Sequence, residues 1–436
     1  MPDIRAPALL RSALPPVGPL PLLVAFSGGL DSTALLHALS QDAGVRRQGL
    51  RAIHIHHGLQ AHADDWASHC EKFCDALDIA LTIVNVTVDR DSGDGLEAAA
   101  RKARYAAFEG ALREHEALVT AHHRDDQAET FLLRALRGSG PDGLAAMRPW
   151  RKFASGWHWR PLLDRSRDDL LAYAQQHGLS WLDDPSNEDI EHDRNFLRQR
   201  ILPLLRERWP HAGAAFARSA WLNADAVELL QETDAQALAM AGTADPQTLS
   251  VCALQTLAPT RRARVLRRWI ADLGFPPLPG EGVAHIESDL LPAREDANAR
   301  FEWRDVVIER WRDLLYAERY REALPTDWQV EWDGRQPLPL PGGDSLCLEG
   351  AASFPSSLRV FARQGGERIV LPRRDHSHAL KHLLQELEVP PWTRARLPLL
   401  ADAGGELCAA GDLAYSARFD AWLCAQGARL HWSRGA

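Results

Sequence analysis

The chain has 436 residues, enough for two or three domains that each enclose a hydrophobic core. A hydrophobic content of 45% and a charged content of 25% are ordinary for a soluble protein, and no apolar run reaches the length of a transmembrane helix. The net charge of −9 argues against a uniformly basic nucleic-acid binder but leaves room for local basic patches. Six scattered cysteines without a Cys-x-x-Cys pair indicate reduced thiols, so we predict a cytoplasmic protein with no membrane partner.

Strands alternate with helices over the first part of the chain. After a proline-rich lead-in, apolar runs predict buried strands over 22–26, 52–58, 81–88 and 118–121. Helical patterns follow them, from residue 31 and over 62–78, 96–113 and 125–137. This order predicts an α/β fold with a doubly wound parallel sheet, covered by helices on both faces. Ligands of such sheets bind beyond the carboxyl ends of the strands.

The rest of the chain has a different pattern. The sequence predicts a loop or short strand over 156–163, a helix over 166–177 and a basic amphipathic helix from 194 to 203. Alanine-rich helical sequence runs from 211 to 272, a hairpin follows at 301–308, and a mixed region with a helix over 375–388 begins near 355. We therefore predict three domains: a Rossmann-like α/β domain (1–208), a mostly helical domain (209–325) and a small α+β domain (350–436).

One string joins the first strand to its helix and has the composition of a phosphate site: Ser27, Gly28, Gly29, Leu30, Asp31 and Ser32. The glycines let the backbone approach an anion, the helix N–H groups and dipole favour its charge, and the serines donate hydrogen bonds. Asp31 repels phosphate, so we place Mg²⁺ between them. No Lys follows the glycines, so this is not a Walker A loop. The alternative is an ordinary strand-to-helix turn.

A second polar string follows the fourth strand and starts the next helix. At about 3.6 residues per turn, His122 lies on the same face as Asp126, and Asp126 on the same face as Glu129. Acidic residues in a first turn also stabilise a helix, which is the structural alternative. The string has more polar groups than a cap requires, so we predict that its carboxylates bind Mg²⁺ or the ammonium of an amine substrate.

Other polar residues permit more than one interpretation. Arg101 and Arg104 lie one turn apart on a predicted helix and either neutralise phosphate charge or face solvent. The alternating His54 and His56 are explained about equally well as core histidines, as strand-end groups and as catalytic residues. The two cysteines of the 62–78 helix have helical spacing, which favours a helix face over a metal site.

Arginines are concentrated in three later clusters, at 194–208, 261–268 and 359–374. The segment 261–268 places its arginines beside an apolar stripe, so it is either a solvated helix face or an RNA contact. Such clusters are the local basic patches through which a chain of net negative charge binds a nucleic acid.

Several motifs occur in a defined order. They are Ser-Gly-Gly-Leu-Asp-Ser from Ser27, His57-Gly58-Leu59, Glu97 to Tyr105, Thr120 to Thr130, and Arg137-Gly138-Ser139-Gly140. Later come Asp184 to Asn187 with Arg194 and Arg198, then Gly365 to Arg368, Lys381 and Pro391 to Arg394. Together they resemble bacterial tRNA(Ile)-lysidine synthetases, which are PP-loop ATP pyrophosphatases. The match spans nearly the whole chain, is weakest in the middle, and departs from the family at Gln60, where a basic residue is usual.

The resemblance implies a ligase that modifies the wobble cytidine of the minor isoleucine tRNA with a CAU anticodon. ATP adenylates the C2 oxygen with release of pyrophosphate, and L-lysine then displaces AMP to give lysidine. The implied ATP-binding residues are those from Ser27 to Ser32, with Asp31 and Asp126 on Mg²⁺. The implied catalytic residues are Asp31, Arg101, Arg104, His122, Asp126 and Glu129. The implied RNA-binding residues are Arg194, Arg198, Arg363, Arg368, Lys381 and Arg394.

Two alternative functions remain open at the level of sequence. One is another PP-loop tRNA-modifying enzyme such as a cytidine thiolase, although those typically use cysteine pairs, which this chain lacks. The other is a non-catalytic nucleotide-binding or RNA-binding module, which would not need Asp126 and Glu129 beside the loop. The sequence does not determine the oligomeric state, and a homodimer is one option.

Overall fold

The computed structural model describes residues 9–10, 18–56, 63–88, 96–184, 189–294, 299–374 and 376–434. The predicted motif from His57 to Leu59, the departure at Gln60 and the segment from Pro185 to Asn187 lie outside these residues. The chain divides into two compact units, residues 1–232 and 233–436. None of the helices in the described ranges combines the length and the apolar character needed to cross a bilayer.

A parallel sheet lies at the centre of the first unit. Its strands are β1 (Leu22–Ala25), β2 (Leu50–His56), β3 (Ala80–Asn85), β4 (Ala117–Val119), β5 (Trp150–Phe153) and β6 (Gly156–Trp159). The strand order is β3-β2-β1-β4-β6-β5, with only the β5–β6 pair antiparallel. The chain adds β2 and β3 on one side of β1 and then β4 on the other side, so the strand order reverses between β1 and β4. Ligands of such sheets bind at this switch point.

Helices cover this sheet on both faces. The helices of this part of the chain are α1 (Leu30–Ser40), α2 (Ala43–Gln48), α3 (Ala63–Ala76), α4 (Leu96–Ala111), α5 (Arg124–Leu136), α6 (Pro141–Leu144), α7 (Arg167–Gln176), α8 (Asp193–Phe196) and α9 (Leu202–Arg208), followed by α10 (Ala212–Ala241), whose last residues belong to the second unit. Alternate strand residues point to opposite faces, so Leu22 and Val24 pack with α1, α3 and α7, whereas Leu23 and Leu118 pack with α4. This arrangement confirms the predicted doubly wound α/β fold.

Two segments of the first unit differ from their prediction. The loop or short strand predicted at 156–163 contains β6, which a tight hairpin joins to the unpredicted edge strand β5. The basic helix does not stop at Pro203 but continues as α8, a π-helical turn (Leu197–Ile201) and α9. Pro203 lies in the first turn of α9, where a missing N–H group interrupts few helical hydrogen bonds.

The second unit begins with helices that pack on a small antiparallel sheet. After the end of α10 come β7 (Thr248–Ser250), α11 (Val251–Thr256), α12 (Pro259–Asp272), α13 (Gly280–His285), a π-helical turn (Ile286–Leu290), β8 (Arg300–Trp303), β9 (Val306–Trp311) and β10 (Leu314–Arg319). The order β7-β10-β9-β8 includes the predicted hairpin, β8–β9, and adds two strands that the sequence did not predict. The apolar stripe of α12 is buried in this core, as its pattern predicted.

The last part of the second unit is a mixed α+β fold, as predicted. Its elements are β11 (Gln329–Trp332), β12 (Leu338–Pro339), β13 (Ser345–Glu349), β14 (Leu358–Ala362), β15 (Arg368–Ile369), β16 (His378–Ala379), α14 (Leu380–Glu386), α15 (Pro391–Arg396), β17 (Pro398–Ala401), β18 (Leu407–Ala410), β19 (Ala414–Tyr415), α16 (Ala417–Gln426) and β20 (Arg429–Ser433). The antiparallel orders are β11-β14-β17-β18-β19 and β12-β13-β20. Strands of this fold therefore begin before residue 350. The helix predicted over 375–388 is shorter, because β16 precedes it. The three-domain boundaries stay a prediction.

Candidate active site

The loop after β1 has the backbone of an anion site. Gly28 has a φ of +81°, and a Cβ atom there would lie 3.0 Å from the Sγ atom of Cys70, so both conformation and space favour glycine. Gly29 caps α1 without a side-chain hydrogen bond. The first N–H groups of a helix have no partner within the helix, so this loop presents donors and the positive end of a dipole.

The two serines of the loop hold its shape. The Ser32 hydroxyl donates to the carbonyl oxygen of Gly29 over 3.1 Å, and the hydroxyl oxygens of Ser27 and Ser32 lie 3.0 Å apart. The backbone N–H of Ser27 also donates to the Ser32 oxygen, over 3.2 Å. The predicted string thus closes on itself at the start of α1, and an incoming phosphate would exchange some of these hydrogen bonds for its own.

Asp31 has the orientation that a cation requires. Its Oδ1 atom is buried and has no hydrogen-bond partner, while its Oδ2 atom lies 3.6 Å from the Nε2 atom of His123. A buried carboxylate oxygen without a donor fits a divalent ion. No group of three or more His, Cys, Asp or Glu side chains arranged for a metal occurs in the described ranges. Mg²⁺ uses few protein carboxylates and takes phosphate oxygens as further ligands, so one free carboxylate oxygen fits a nucleotide-borne ion.

His123 is buried among carboxylates, and its Nδ1 atom also accepts the backbone N–H of Asp125 over 3.2 Å. It is 1% exposed, and its ring nitrogens lie within 3.6 Å of oxygens of Asp31, Asp125 and Asp126. Burial alone lowers the pKa of His123, but Asp126, Asp31 and Asp125 together raise this pKa to about 9. We name His123 and these three carboxylates the acidic cluster. Sequence analysis did not select His123, although it lies in the predicted string and begins α5.

The carboxylates of Asp126 and Glu129 lie close together, as predicted, but both form ion pairs with two arginines. Arg194 donates to Asp126 over 2.9 Å and to Glu129 over 2.7 Å, and Arg198 donates to the same carboxylates over 3.0 Å and 2.7 Å. Burial opposes ionisation of Asp126, but His123 and Arg194 hold its pKa far below the usual range. Two guanidinium groups of the same chain therefore neutralise the carboxylate pair.

Arg194 and Arg198 lie in the crevice at the ends of β1 and β4, and not on an open RNA-binding face. Their side chains are 27% and 33% exposed, and Glu129 is fully buried. They project from α8 and the π-helical turn, and such turns in helices are frequent at functional sites. Their role in RNA binding stays a prediction.

His122 and Arg101 face a second, basic environment. Arg101 lies over the ring of Tyr105 at 5.0 Å, and Arg151 approaches the same ring at 5.7 Å. Burial lowers the pKa of His122 to about 3 despite the attraction of Asp126. We name Arg101, Arg151 and Arg160 the arginine cluster. The predicted Arg104 is exposed on α4, one turn from Arg101.

The arginine cluster has no carboxylate partners within the described residues. Arg160 is 5% exposed, and its two terminal nitrogens donate to the Arg148 carbonyl oxygen and to the Nδ1 atom of His158. Its Nε atom is buried without a partner. Burial lowers the pKa of Arg160 to about 10, with Arg151 adding to the effect. Positive charge that carboxylates do not neutralise attracts anions.

The remaining predicted residues separate into structural and surface positions. His54 is buried and hydrogen-bonds the Phe26 carbonyl oxygen at 2.9 Å, so it is a core histidine. Burial raises the pKa of the Cys70 and Cys74 thiols to about 12, which confirms that they belong to the buried face of α3. In the 261–268 segment, Arg262 pairs with Glu287 at 2.6 Å and Arg264 with Asp234 at 2.7 Å.

The C-terminal basic residues are only partly grouped. Arg363 and Arg394 line one pocket of about 390 Å³ with Gln364, Gly365, Pro391 and Ala395. Burial and then Arg363 lower the pKa of Arg394. Arg368 instead bonds Ser377 through its Nε and Nη2 atoms, and Lys381 is exposed on α14.

Comparison with known proteins shows the family to which the chain belongs. Family models match residues 8–205 as a PP-loop domain, 249–316 as a TilS substrate binding domain and 358–432 as a TilS substrate C-terminal domain. The tRNA(Ile)-lysidine synthase of Xanthomonas axonopodis is 55% identical over 99% of this chain and 98% of its own length. Those of Xanthomonas campestris (54%, 100% and 99%) and Xylella fastidiosa (53%, 95% and 95%) are similar over nearly their full lengths. The chain therefore belongs to the tRNA(Ile)-lysidine synthase family and carries its PP-loop ATP-binding domain.

Proposed function

We propose that this protein ligates L-lysine to C2 of the wobble cytidine in the minor isoleucine tRNA with a CAU anticodon. The observation that carries the proposal is the juxtaposition of a phosphate-type loop with a buried cation-binding carboxylate pair, in a chain of this family. The expected location is the cytoplasm, where tRNA is modified.

In the first step the loop from Ser27 to Ser32 would hold the ATP phosphates. The glycines and the start of α1 supply backbone donors, and the free Oδ1 atom of Asp31 supplies an oxygen for Mg²⁺. When bound, Mg²⁺ would withdraw charge from the phosphates. The cytidine C2 oxygen attacks the α-phosphorus, and pyrophosphate leaves with the electrons of the broken P–O bond.

In the second step Asp126 and Glu129 would bind the lysine side chain. They bind two guanidinium groups, so their geometry and charge suit a cationic amine. Arg194 and Arg198 must withdraw at least in part before a carboxylate oxygen can accept a proton from the ammonium. The freed amine then attacks C2, and AMP leaves as the C–O bond breaks.

The tRNA would be held mainly by the second unit. The pocket of Arg363 and Arg394 presents two guanidinium groups in close proximity, which suits a phosphate. Arg368 and Lys381 would add further backbone contacts. Arg194 and Arg198 would contact RNA only near the reacting nucleotide, because they lie in the crevice.

The test combines ATP–pyrophosphate exchange with analysis of the product nucleoside. We expect exchange that depends on the tRNA, and a cytidine whose mass has increased by one lysine less water. Glu71→Gln, a charge change on the exposed side of α3, is the control and should behave as wild type. A nucleoside that gained sulfur would contradict lysine ligation and identify a thiolase. Absence of exchange and of any modified nucleoside would indicate a binding module.

A further inference from the structure

A continuous hydrogen-bonded chain runs from the arginine cluster to His122. Arg160 and Arg151 both donate to the Nδ1 atom of His158, over 3.1 Å and 3.2 Å. The Nε2 atom of His158 lies 2.8 Å from the Thr120 hydroxyl oxygen. That oxygen lies 2.7 Å from the Nδ1 atom of His122. Three different elements thus meet, since β4 leads into Thr120, β5 carries Arg151 and β6 carries His158.

The donors at one end determine every proton along this chain. A guanidinium group has no acceptor, so the Nδ1 atom of His158 must accept and its proton must lie on Nε2. This Nε2–H then donates to the Thr120 oxygen. The hydroxyl proton of Thr120 has no other acceptor among the described residues, so it donates to the Nδ1 atom of His122. The ring proton of His122 must therefore lie on Nε2, which has no partner within the described residues.

The surroundings of His122 and His158 favour the uncharged form of both imidazole rings. Burial and then Arg160 and Arg151 lower the pKa of His158 far below neutrality, and burial lowers that of His122 to about 3. Asp126 opposes this effect at His122, whereas Arg101, Arg160 and Arg194 add to it. No second proton is therefore available on either ring to reverse the direction of the hydrogen bonds at neutral pH.

The strand register places His122 beside the phosphate loop. In the parallel pair β1–β4, Leu22 lies opposite Ala117 and Val24 opposite Val119. Continuing this register beyond the strand ends places Ser27 opposite His122. The unsatisfied donor of His122 therefore lies at the edge where the nucleotide phosphates are expected, on the side of the unneutralised arginine cluster.

We propose that Thr120 and His158 are positioning residues that hold His122 as a neutral imidazole with its proton on Nε2, ready to donate to a phosphate oxygen of the nucleotide. The proposal rests on the proposed function, because the phosphate is that of ATP. A neutral imidazole can donate a hydrogen bond to the developing phosphate charge. An imidazolium would instead pair with Asp126.

The test uses histidine labelled with ¹⁵N in the full-length protein without substrate. Long-range ¹⁵N–¹H spectra distinguish the two neutral tautomers, and the His122 signals are identified by their loss in His122→Gln. We expect the Nε2–H tautomer in the wild type and in Thr120→Ser, which keeps the hydroxyl. Thr120→Val keeps the shape but removes the hydroxyl, so His122 should lose its fixed Nε2–H tautomer and populate both neutral forms.

Kinetics supply the second measurement. We expect Thr120→Val to lower the turnover number for AMP formation at least about tenfold with little change in the KM for ATP, and Thr120→Ser to restore most of the rate. A wild-type His122 with its proton on Nδ1, or an unchanged rate in Thr120→Val, would overturn the proposal. Failure of lysine ligation itself would appear separately, in the mass of the product nucleoside.

Discussion

The acidic cluster and the arginine cluster flank two consecutive histidines and give them opposite charge states. His123 is buried among carboxylates, which raise its pKa to about 9, whereas burial beside arginines leaves His122 with a pKa of about 3. Burial alone lowers both pKa values, so the sign of the neighbouring charges decides the outcome. One edge of the sheet thus places acidic and basic surroundings side by side, which is the arrangement that the proposed reaction of Mg·ATP with an amine would need.

The largest expected effect comes from removing the free carboxylate of the acidic cluster. We expect Asp31→Asn to lower ATP–pyrophosphate exchange by at least about 100-fold, because we propose that Asp31 supplies an oxygen to a phosphate-bound Mg²⁺. Filter binding of tRNA should change little. Asp125→Asn makes the same charge change in the same cluster, but its carboxylate pairs with Arg206 and should matter much less. Equal losses in both variants would contradict a specific role for Asp31.

A second test addresses the two arginines that Asp126 and Glu129 neutralise. Glu129→Gln leaves Arg194 and Arg198 partly buried with one carboxylate between them, and we expect it to lower the free energy of unfolding by about 3 kcal/mol. Lysidine formation should also be lost. Arg206→Ala breaks a more exposed ion pair and should cost less than about 1 kcal/mol. Urea denaturation measures both values, and similar costs would contradict the buried network.

The pH dependence of stability should differ in sign between the clusters. The folded-state pKa of His123 lies above its ordinary value of 6.5, so the stability it contributes is present below pH 6.5 and is lost as pH rises through about 9. In EDTA-containing buffer we expect the loss to be on the order of 1–3 kcal/mol. His123→Gln should flatten this slope, and an unchanged slope would contradict the charged state of His123.

His158, which accepts hydrogen bonds from the arginine cluster, should give the opposite slope of stability against pH. The pKa of His158 is lowered on folding, so its contribution is present above pH 6.5 and is lost as pH falls below that value. His158→Gln should remove this acid-side loss while leaving the alkaline slope of His123 in place. Urea denaturation, carried out across the pH range, measures both slopes.

The smallest expected effect concerns Arg394, which we propose contacts a tRNA phosphate from the pocket that it shares with Arg363. We expect tRNA affinity to fall steeply with salt, and Arg394→Ala to reduce the slope of log affinity against log salt concentration by about 0.7 to 0.9, the value for one phosphate contact. ATP binding should be unaffected. Arg335→Ala, at an exposed arginine 3.5 Å from Asp333, is the matched control. An unchanged slope in Arg394→Ala would exclude the pocket from tRNA binding.

Local patterns in the sequence determined most of the first unit and the chemistry of its loop. Alternating apolar runs and helical periods predicted β1 to β4 and their helices, because each pattern depends on residues only a few positions apart. The string from Ser27 to Ser32 predicted a phosphate site for the same reason. Short edge strands such as β5 were missed, because pairing across a hairpin stabilises them more than their own composition does.

Tertiary structure alone decided which charges meet. Arg194 and Arg198 follow Asp126 and Glu129 by 65 to 72 positions, so no local period connects them, and the sequence placed them with RNA. His158 reaches Thr120 only because β6 pairs with β4 in one register. The lowered pKa of His122 follows from burial and from arginines of other elements, whereas the raised pKa of His123 follows mainly from Asp126, three positions along the chain, and from the distant Asp31. Sequence spacing determines which residues share one helix or strand, whereas the packing of separate elements determines their electrostatic partners and hence their pKa values.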